Sequence, residues 1–222
     1  MKLTLVNFIL DQSGSMGSIR AATIKGVNEY IESLRKTKGK VLFSLTLFRG
    51  TVLGKNAITT LYEYTPIKKV KPLTSHQYKP DGSTPLYDAV CESIEKTQVY
   101  STKCDEPAIL NVVMTDGEEN SSREHNAKCL KDIIADCQDQ GNWTFVFLGA
   151  NQDSWANASQ LGYQAGNTAN WDGTTRGVGL AFSALSANSV AYCAQVSAGG
   201  GGGGKGLSVS NFNSLAKDKV VK

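Results

Sequence analysis

The sequence predicts an α/β protein with a doubly wound, mostly parallel central sheet flanked by helices, and a flexible glycine-rich tail. Three observations carry this. Over residues 1–150, short apolar runs alternate with amphipathic stretches, the order that lays helices over a parallel sheet. Two of the runs, Ala108–Thr115 and Thr144–Leu148, are apolar nearly throughout, as strands buried on both faces must be. Gly199–Gly204 is unbroken glycine, which has no side chains to pack and behaves as a tether.

Taken in order, Leu3–Leu10 is the first strand, and a helix follows over about 18–36, with Val27, Tyr30, Ile31 and Leu34 at helical spacing on its buried side. Val41–Phe48 alternates as a second strand, and Thr51–Thr60 is a weaker strand joined to it through Arg49-Gly50. A polar connection covers about 63–83. Pro85 then suits the first turn of a helix whose inner side carries Leu86, Ala89, Val90, Ile94 and Thr97. Ala108–Thr115 is a core strand interrupted only by Asn111. Leu130, Ile133, Ile134 and Cys137 mark another helix ending near Gly141, before the strand Thr144–Leu148. Beyond Asn151 the composition turns to Asn, Gln, Ser, Ala and Gly. A short helix is expected over 153–161, a loop or edge strand over 162–173, and a last helix over about 174–196. The chain thus reads as one domain, 1–197, with its core in 1–165 and a helical extension at 174–196. A linker and tail, 198–222, is expected to be disordered or to present a short motif.

Composition narrows the function classes. Of 222 residues, 41% are apolar, enough for a substantial core, and 23 basic against 20 acidic residues leave a net charge of +3, too little to imply a polyanionic partner. The densest basic stretch, Lys68-Lys69-Val70-Lys71, has no interleaved arginine or aromatic residue and reads as a solvated loop or edge strand and not a nucleic-acid patch. The apolar N-terminus runs into Asp11 without a cleavage site, and no other run approaches membrane-spanning length. Five widely spaced cysteines show no metal or redox pairing. The expectation is a cytoplasmic protein that engages neither membrane nor nucleic acid. Three glycosylation-type triplets, Asn120-Ser121-Ser122 among them, carry no information without secretion.

The chemistry lies in three loop segments. Asp11-Gln12-Ser13-Gly14-Ser15 follows the first strand, Asp81-Gly82-Ser83-Thr84-Pro85 precedes a helix, and Thr115-Asp116-Gly117-Glu118-Glu119 follows a later strand. Loops leaving the carboxyl ends of neighbouring strands converge where an open sheet reverses its winding. Any one segment alone reads equally well as turn residues. An oxygen-only set without His or Cys suits a hard cation such as Mg²⁺.

At these residues the chain resembles a von Willebrand factor A domain with a metal-ion-dependent adhesion site. That family carries Asp-x-Ser-x-Ser after the first strand, a distant Thr, and an Asp within Thr-Asp-Gly, matched here by Asp11, Ser13, Ser15, Thr84 and Asp116. The similarity covers about residues 1–165. It implies Mg²⁺ or Mn²⁺ held by these five residues, and a protein partner that offers an Asp or Glu carboxylate to the metal. Glu118 and Glu119 read as helix-start or loop charges, or as support for the site. Asp81 reads as a turn former. Trp143 and Trp155 read as packing residues, and Trp171 as packing or exposed recognition.

Two other classes compete. A haloacid dehalogenase-like phosphatase also places Asp after an apolar strand, but its second Asp two residues later is Ser13 here, and His76 and His125 read as exposed. The glycine run lacks the ending of a P-loop. An assembly subunit tethered through its tail is compatible with metal-dependent binding.

Overall fold

The computed structural model describes residues 2–51, 56–150, 158–199 and 211–214. Among these, six strands form one sheet: β1 (Leu3–Asp11), β2 (Lys40–Gly50), β3 (Asn56–Pro66), β4 (Ala108–Thr115), β5 (Trp143–Ala150) and β6 (Thr168–Trp171). Their order is β3-β2-β1-β4-β5-β6. Only β3 is antiparallel, to β2; β1 pairs in parallel with β2 and β4, and β5 and β6 continue in that sense. Helices α1 (Arg20–Arg35) and α4 (Thr175–Ser197) cover one face, α2 (Leu86–Ser101) and α3 (Ala127–Asp139) the other. The doubly wound, mostly parallel α/β architecture expected from the sequence is the one found.

Strand side chains alternate between faces, and β1 shows why its run is mostly apolar. Val6, Phe8 and Leu10 enter the core under α1 and α4, while Leu5 and Ile9 enter the core under α2 and α3. Among the polar residues of β1, Asn7 is fully buried and exchanges hydrogen bonds with Ser93 of α2 at 3.0–3.1 Å. On the opposite face, Tyr30 of α1 packs edge-on against Phe8, and its hydroxyl meets Ser189 of α4 at 3.0 Å. Gly26 lets these helices close together: a Cβ there would lie 2.1 Å from the ring of Phe182.

Several boundaries differ from expectation. Residues 52–55 lie outside the described set, and the third strand runs over Asn56–Pro66 instead of Thr51–Thr60, taking part of the supposed polar connection. It is an edge strand of mostly half-exposed residues, with register shifts against β2 near Phe43 and Leu45, so its apolar alternation is weak. Pro85 is the residue before α2 and not part of its first turn. Of the two readings of 162–173, the edge strand is found, as β6. It carries Trp171, which at 7% exposure is not an exposed recognition residue. Most of the helix expected over 153–161, Trp155 included, lies outside the described residues.

The last helix is capped by Thr174, whose Oγ1 accepts from Gly177 N at 3.1 Å. Contrary to expectation, it is by length and composition apolar enough to cross a membrane, since Arg176 is its only charged residue; 56% of the apolar window is buried inside the protein, as in the core helix of a soluble fold. The tail also departs from expectation over Asn211–Ser214. A 3-10 turn there buries Phe212 to 1% exposure beside Tyr192. One aromatic ring amid Gly, Ser and Asn gives no periodic signal, yet with two hydrogen bonds, to Asn167 and Thr168, it seats those residues.

Candidate functional site

β1 reaches β2 on one side and β4 on the other, so the loops leaving β1 and β4 diverge and open a crevice at their carboxyl ends. Asp11 is the last residue of β1, and Asp116 directly follows Thr115 at the end of β4. A 3-10 turn over Gly14–Ile19 carries Ser15 into the same crevice.

The geometry builds outward from Asp11, which is fully buried. Its Oδ1 accepts from Ser13 N at 2.7 Å and its Oδ2 from Thr115 Oγ1 at 2.6 Å. The hydroxyls of Ser13 and Ser15 are 3.1 Å apart, and Ser15 Oγ donates to Asp116 Oδ1 at 2.7 Å. Thr84 comes from a third segment. A Cβ on Gly117 would sit 3.3 Å from Thr84 Oγ1 and 3.8 Å from Ser15 Oγ, so the missing side chain keeps open the space those hydroxyls border. All five residues singled out in the sequence are therefore brought to one crevice.

Backbone pairing holds the segments in place. Gly14 N donates to Gly82 O at 2.9 Å, Asp81 N to Gln12 O at 2.9 Å, and Gly50 N to Ser83 O at 2.7 Å. Gly82 has φ +74, and a Cβ there would lie 1.9 Å from Gly50 O; only glycine permits both the left-handed backbone and the close approach. Tyr78 OH donates to Asp11 O at 2.7 Å. Asp81 acts as a turn former, accepting from Gly82 N and pairing with Arg49 at 3.1 Å.

Burial pushes the Asp11 carboxyl up to about 6, against the pull of its hydrogen bonds from Thr115 and Ser13. Burial also raises Asp116, opposed by Ser15. Neither carboxylate pairs with a basic side chain among the described residues. Two carboxylates and three hydroxyls facing a shared space are a hard-oxygen donor set, and their uncompensated burial is the electrostatic setting a divalent cation relieves. Among the described residues no group of three His, Cys, Asp or Glu that could hold a metal gathers, so the set here rests on two carboxylates and neutral hydroxyls.

Some supporting residues escaped sequence reasoning, and for Glu119 the supporting role was one of two readings. Asn120 was visible only as part of a glycosylation-type triplet, yet its Oδ1 accepts from Thr84 N at 2.8 Å and its N donates to Thr84 O at 3.1 Å. Glu118 is exposed, whereas Glu119 accepts from Tyr87 N, Ser121 N and both N and Oγ of Ser122 at 2.6–2.9 Å. Asp88 of α2, 1% exposed, accepts from the backbone N–H groups of Arg123, Glu124 and His125 and from Asn56. Burial raises the Asp88 carboxyl, but these donors outweigh it and hold the group below its ordinary value. His125 is not solvent-exposed as expected: its side chain is 22% exposed and lies 3.4 Å from Asp88.

No family defined by sequence matches the chain, and no curated protein matches it. Solved structures do. The chain is similar to a von Willebrand factor type A protein from Catenulispora acidiphila, at 14% identity and a TM-score of 0.60, over 86% of this chain and 43% of that one. It is similar to proximal thread matrix protein 1 from the mussel byssus, solved with a zinc-occupied MIDAS motif, at 13% identity and a TM-score of 0.57, over 86% and 46%. A manganese-loaded TRAP protein of Plasmodium vivax matches at 19% identity and a TM-score of 0.54, over 77% and 68%. The chain spans less than half the length of the first two. These likenesses define the class of fold: the chain has the von Willebrand factor A-type architecture.

Proposed function

We propose that this protein is a metal-dependent protein-binding module and not an enzyme. In this reading Asp11, Ser13, Ser15, Thr84 and Asp116 hold Mg²⁺ or Mn²⁺, and a partner protein offers an Asp or Glu carboxylate to the same centre. The observation that carries it is the chain of contacts Ser13–Ser15–Asp116 at 3.1 and 2.7 Å, beside a buried Asp11. When bound, the cation supplies a positive centre with a position open to an external carboxylate. The hydroxyls of Ser13, Ser15 and Thr84 contribute oxygen without charge, so the two carboxylates leave that centre electrophilic. The zinc and manganese in the two similar structures support a divalent metal.

Against catalysis, the residue two after Asp11 is Ser13, with no carboxylate there to act as acid or base. The five free thiols support a reducing, cytoplasmic setting, and we infer neither a nucleic-acid nor a membrane partner. The test is calorimetry with Mg²⁺ and Mn²⁺, followed by partner capture in metal and in chelator. One metal site in the wild type, lost in a folded Asp11→Ala variant, is expected. Metal binding unchanged in that variant would remove the assignment.

A further inference from the structure

His125 sits between two carboxylates of α2. Its Nδ1 lies 3.4 Å from Asp88 Oδ1, and its Nε2 lies 3.7 Å from Glu95 Oε1. Nδ1 is buried, yet it has no hydrogen-bond partner among the described residues. A neutral imidazole carries one N–H and one lone pair, so in either tautomer a lone pair faces a carboxylate. Only the imidazolium, which donates from both nitrogens, suits both neighbours.

The surrounding charges leave this task to His125. On α2, Glu92 is answered by Lys96 at 3.5 Å, whereas Asp88 and Glu95 reach no basic side chain but His125 among the described residues. Cys91, on the same helix and in the field of Glu95, Cys129, Asp88 and Glu92, is pushed up to about 12 by burial and brings no charge. On α3, Lys128 pairs with Asp132 at 2.7 Å. Arg123 and Glu124 precede His125 in its own loop and form no ion pair among the described residues. Asp88, Glu95 and His125 do not gather as a metal would require.

The imidazole therefore bears on the clamp that holds the loop after β4. Asp88 accepts from the N–H groups of Arg123, Glu124 and His125 at 2.8–3.0 Å, and its own N–H donates to Ser122 Oγ at 3.1 Å. Asn120 of the same loop grips Thr84, and α2 starts at Leu86. The loop, Thr84 and the start of the helix are thus one tied unit. A lone pair facing Asp88 loosens the tie, and a proton on that nitrogen tightens it. We propose that His125 is a positioning residue for the candidate site, a pH-dependent latch whose protonated form bridges Asp88 and Glu95 and fixes the loop over 120–125. Its value to partner binding rests on the metal-site reading above; the latch itself does not.

Amide hydrogen exchange at Arg123, Glu124 and His125 reads the latch. It is measured on the full-length chain in chelator, near pH 5.5 and near pH 7.5, and corrected for the intrinsic rate at each. Wild-type protection should be about tenfold greater at the lower pH, the scale of one charge-assisted hydrogen bond gained. His125→Gln, which does not titrate, should be protected nearly equally at both. Glu95→Gln, at an exposed position, should lose most of the difference and stay folded. His76→Gln should keep the wild-type ratio. Asp11, pushed up to about 6, changes charge in the same range, but it is intact in all three variants. A pH difference that survives in His125→Gln therefore belongs to another group and overturns the proposal. So does a wild-type ratio near one, an unchanged ratio in Glu95→Gln, or its loss in His76→Gln. Calorimetry reads metal binding separately, so failure of the metal site leaves these ratios as they are.

Discussion

Asn120 holds Thr84 from both sides, accepting from its N–H at 2.8 Å and donating to its carbonyl at 3.1 Å. The hydroxyl of Thr84 is thus positioned by a residue that makes no contact with the other four candidate ligands among its described hydrogen bonds. Removing the hydroxyl and removing the clasp should therefore give related but separable effects.

Thr84→Ala should weaken partner binding by more than tenfold while weakening metal binding only a few-fold, since two serines and two aspartates remain. Asn120→Ala should lower stability by about 1 kcal/mol, the usual worth of a lost hydrogen bond, and reduce partner affinity in the same direction as Thr84→Ala. Titrating metal and partner separately against each variant checks this. Metal and partner affinities falling in equal proportion in Thr84→Ala would contradict it.

Asp11 sets a pH dependence in the metal-free protein. Its folded value of about 6 lies above its ordinary 3.8, so the buried charge opposes folding at pH 7, and stability rises as pH falls through 6 toward 4. At pH 7 the effect is on the order of 2–3 kcal/mol. In chelator, Asp11→Asn should melt at a higher temperature than wild type near pH 7, with the gap closing toward pH 4. Adding Mg²⁺ should then raise the wild type and leave the variant unmoved. Melting curves across pH, with and without metal, decide it.

Asp88 has the opposite sign. Its carboxyl is held below the ordinary range, so the stability it contributes is complete above the unfolded value and is lost as pH falls through the lower folded value. Asp88→Asn should cost about 2 kcal/mol at pH 7 by weakening charge-assisted hydrogen bonds to three backbone donors, and the difference should shrink in acid. Urea denaturation at pH 7 and pH 3 measures it.

Gly82→Ala should destabilise by about 2 kcal/mol or more, because the backbone is left-handed and the new Cβ would meet Gly50 O. Gly17→Ala, whose Cβ would meet nothing within 4 Å, should be near neutral. Similar melting temperatures for both variants would mean the Gly50–Gly82 approach is not a constraint.

The sequence was most legible where one cause acts alone. β1, β4 and β5 are buried on both faces, so their apolar runs could hardly mean anything else, and α1 buries the four residues its spacing singled out. Asp11, Ser13, Ser15, Thr84 and Asp116 were legible as a set because three separate segments carried the pattern. Asn120 was not, since its partners are backbone groups of Thr84 brought near only by the fold, and for Glu119 support of the site was only one of two readings. The same holds for β3, whose half-exposed residues obey the register of β2, and for Phe212, which is buried beside Tyr192 and held by Asn167, residues brought near only by the fold.

Ser15 and Asp116 touch across 101 positions of sequence, and Thr115 and Asp11 across 104. Contacts of such separation form late in folding, since the loop between them must be closed first. During synthesis, a chain that has emerged only as far as α2 holds Asp11, Ser13, Ser15 and Thr84 but not Asp116, and so cannot assemble the crevice. Assembly of the crevice is in this way withheld from the unfinished chain, and is completed only once β1 and β4 have paired.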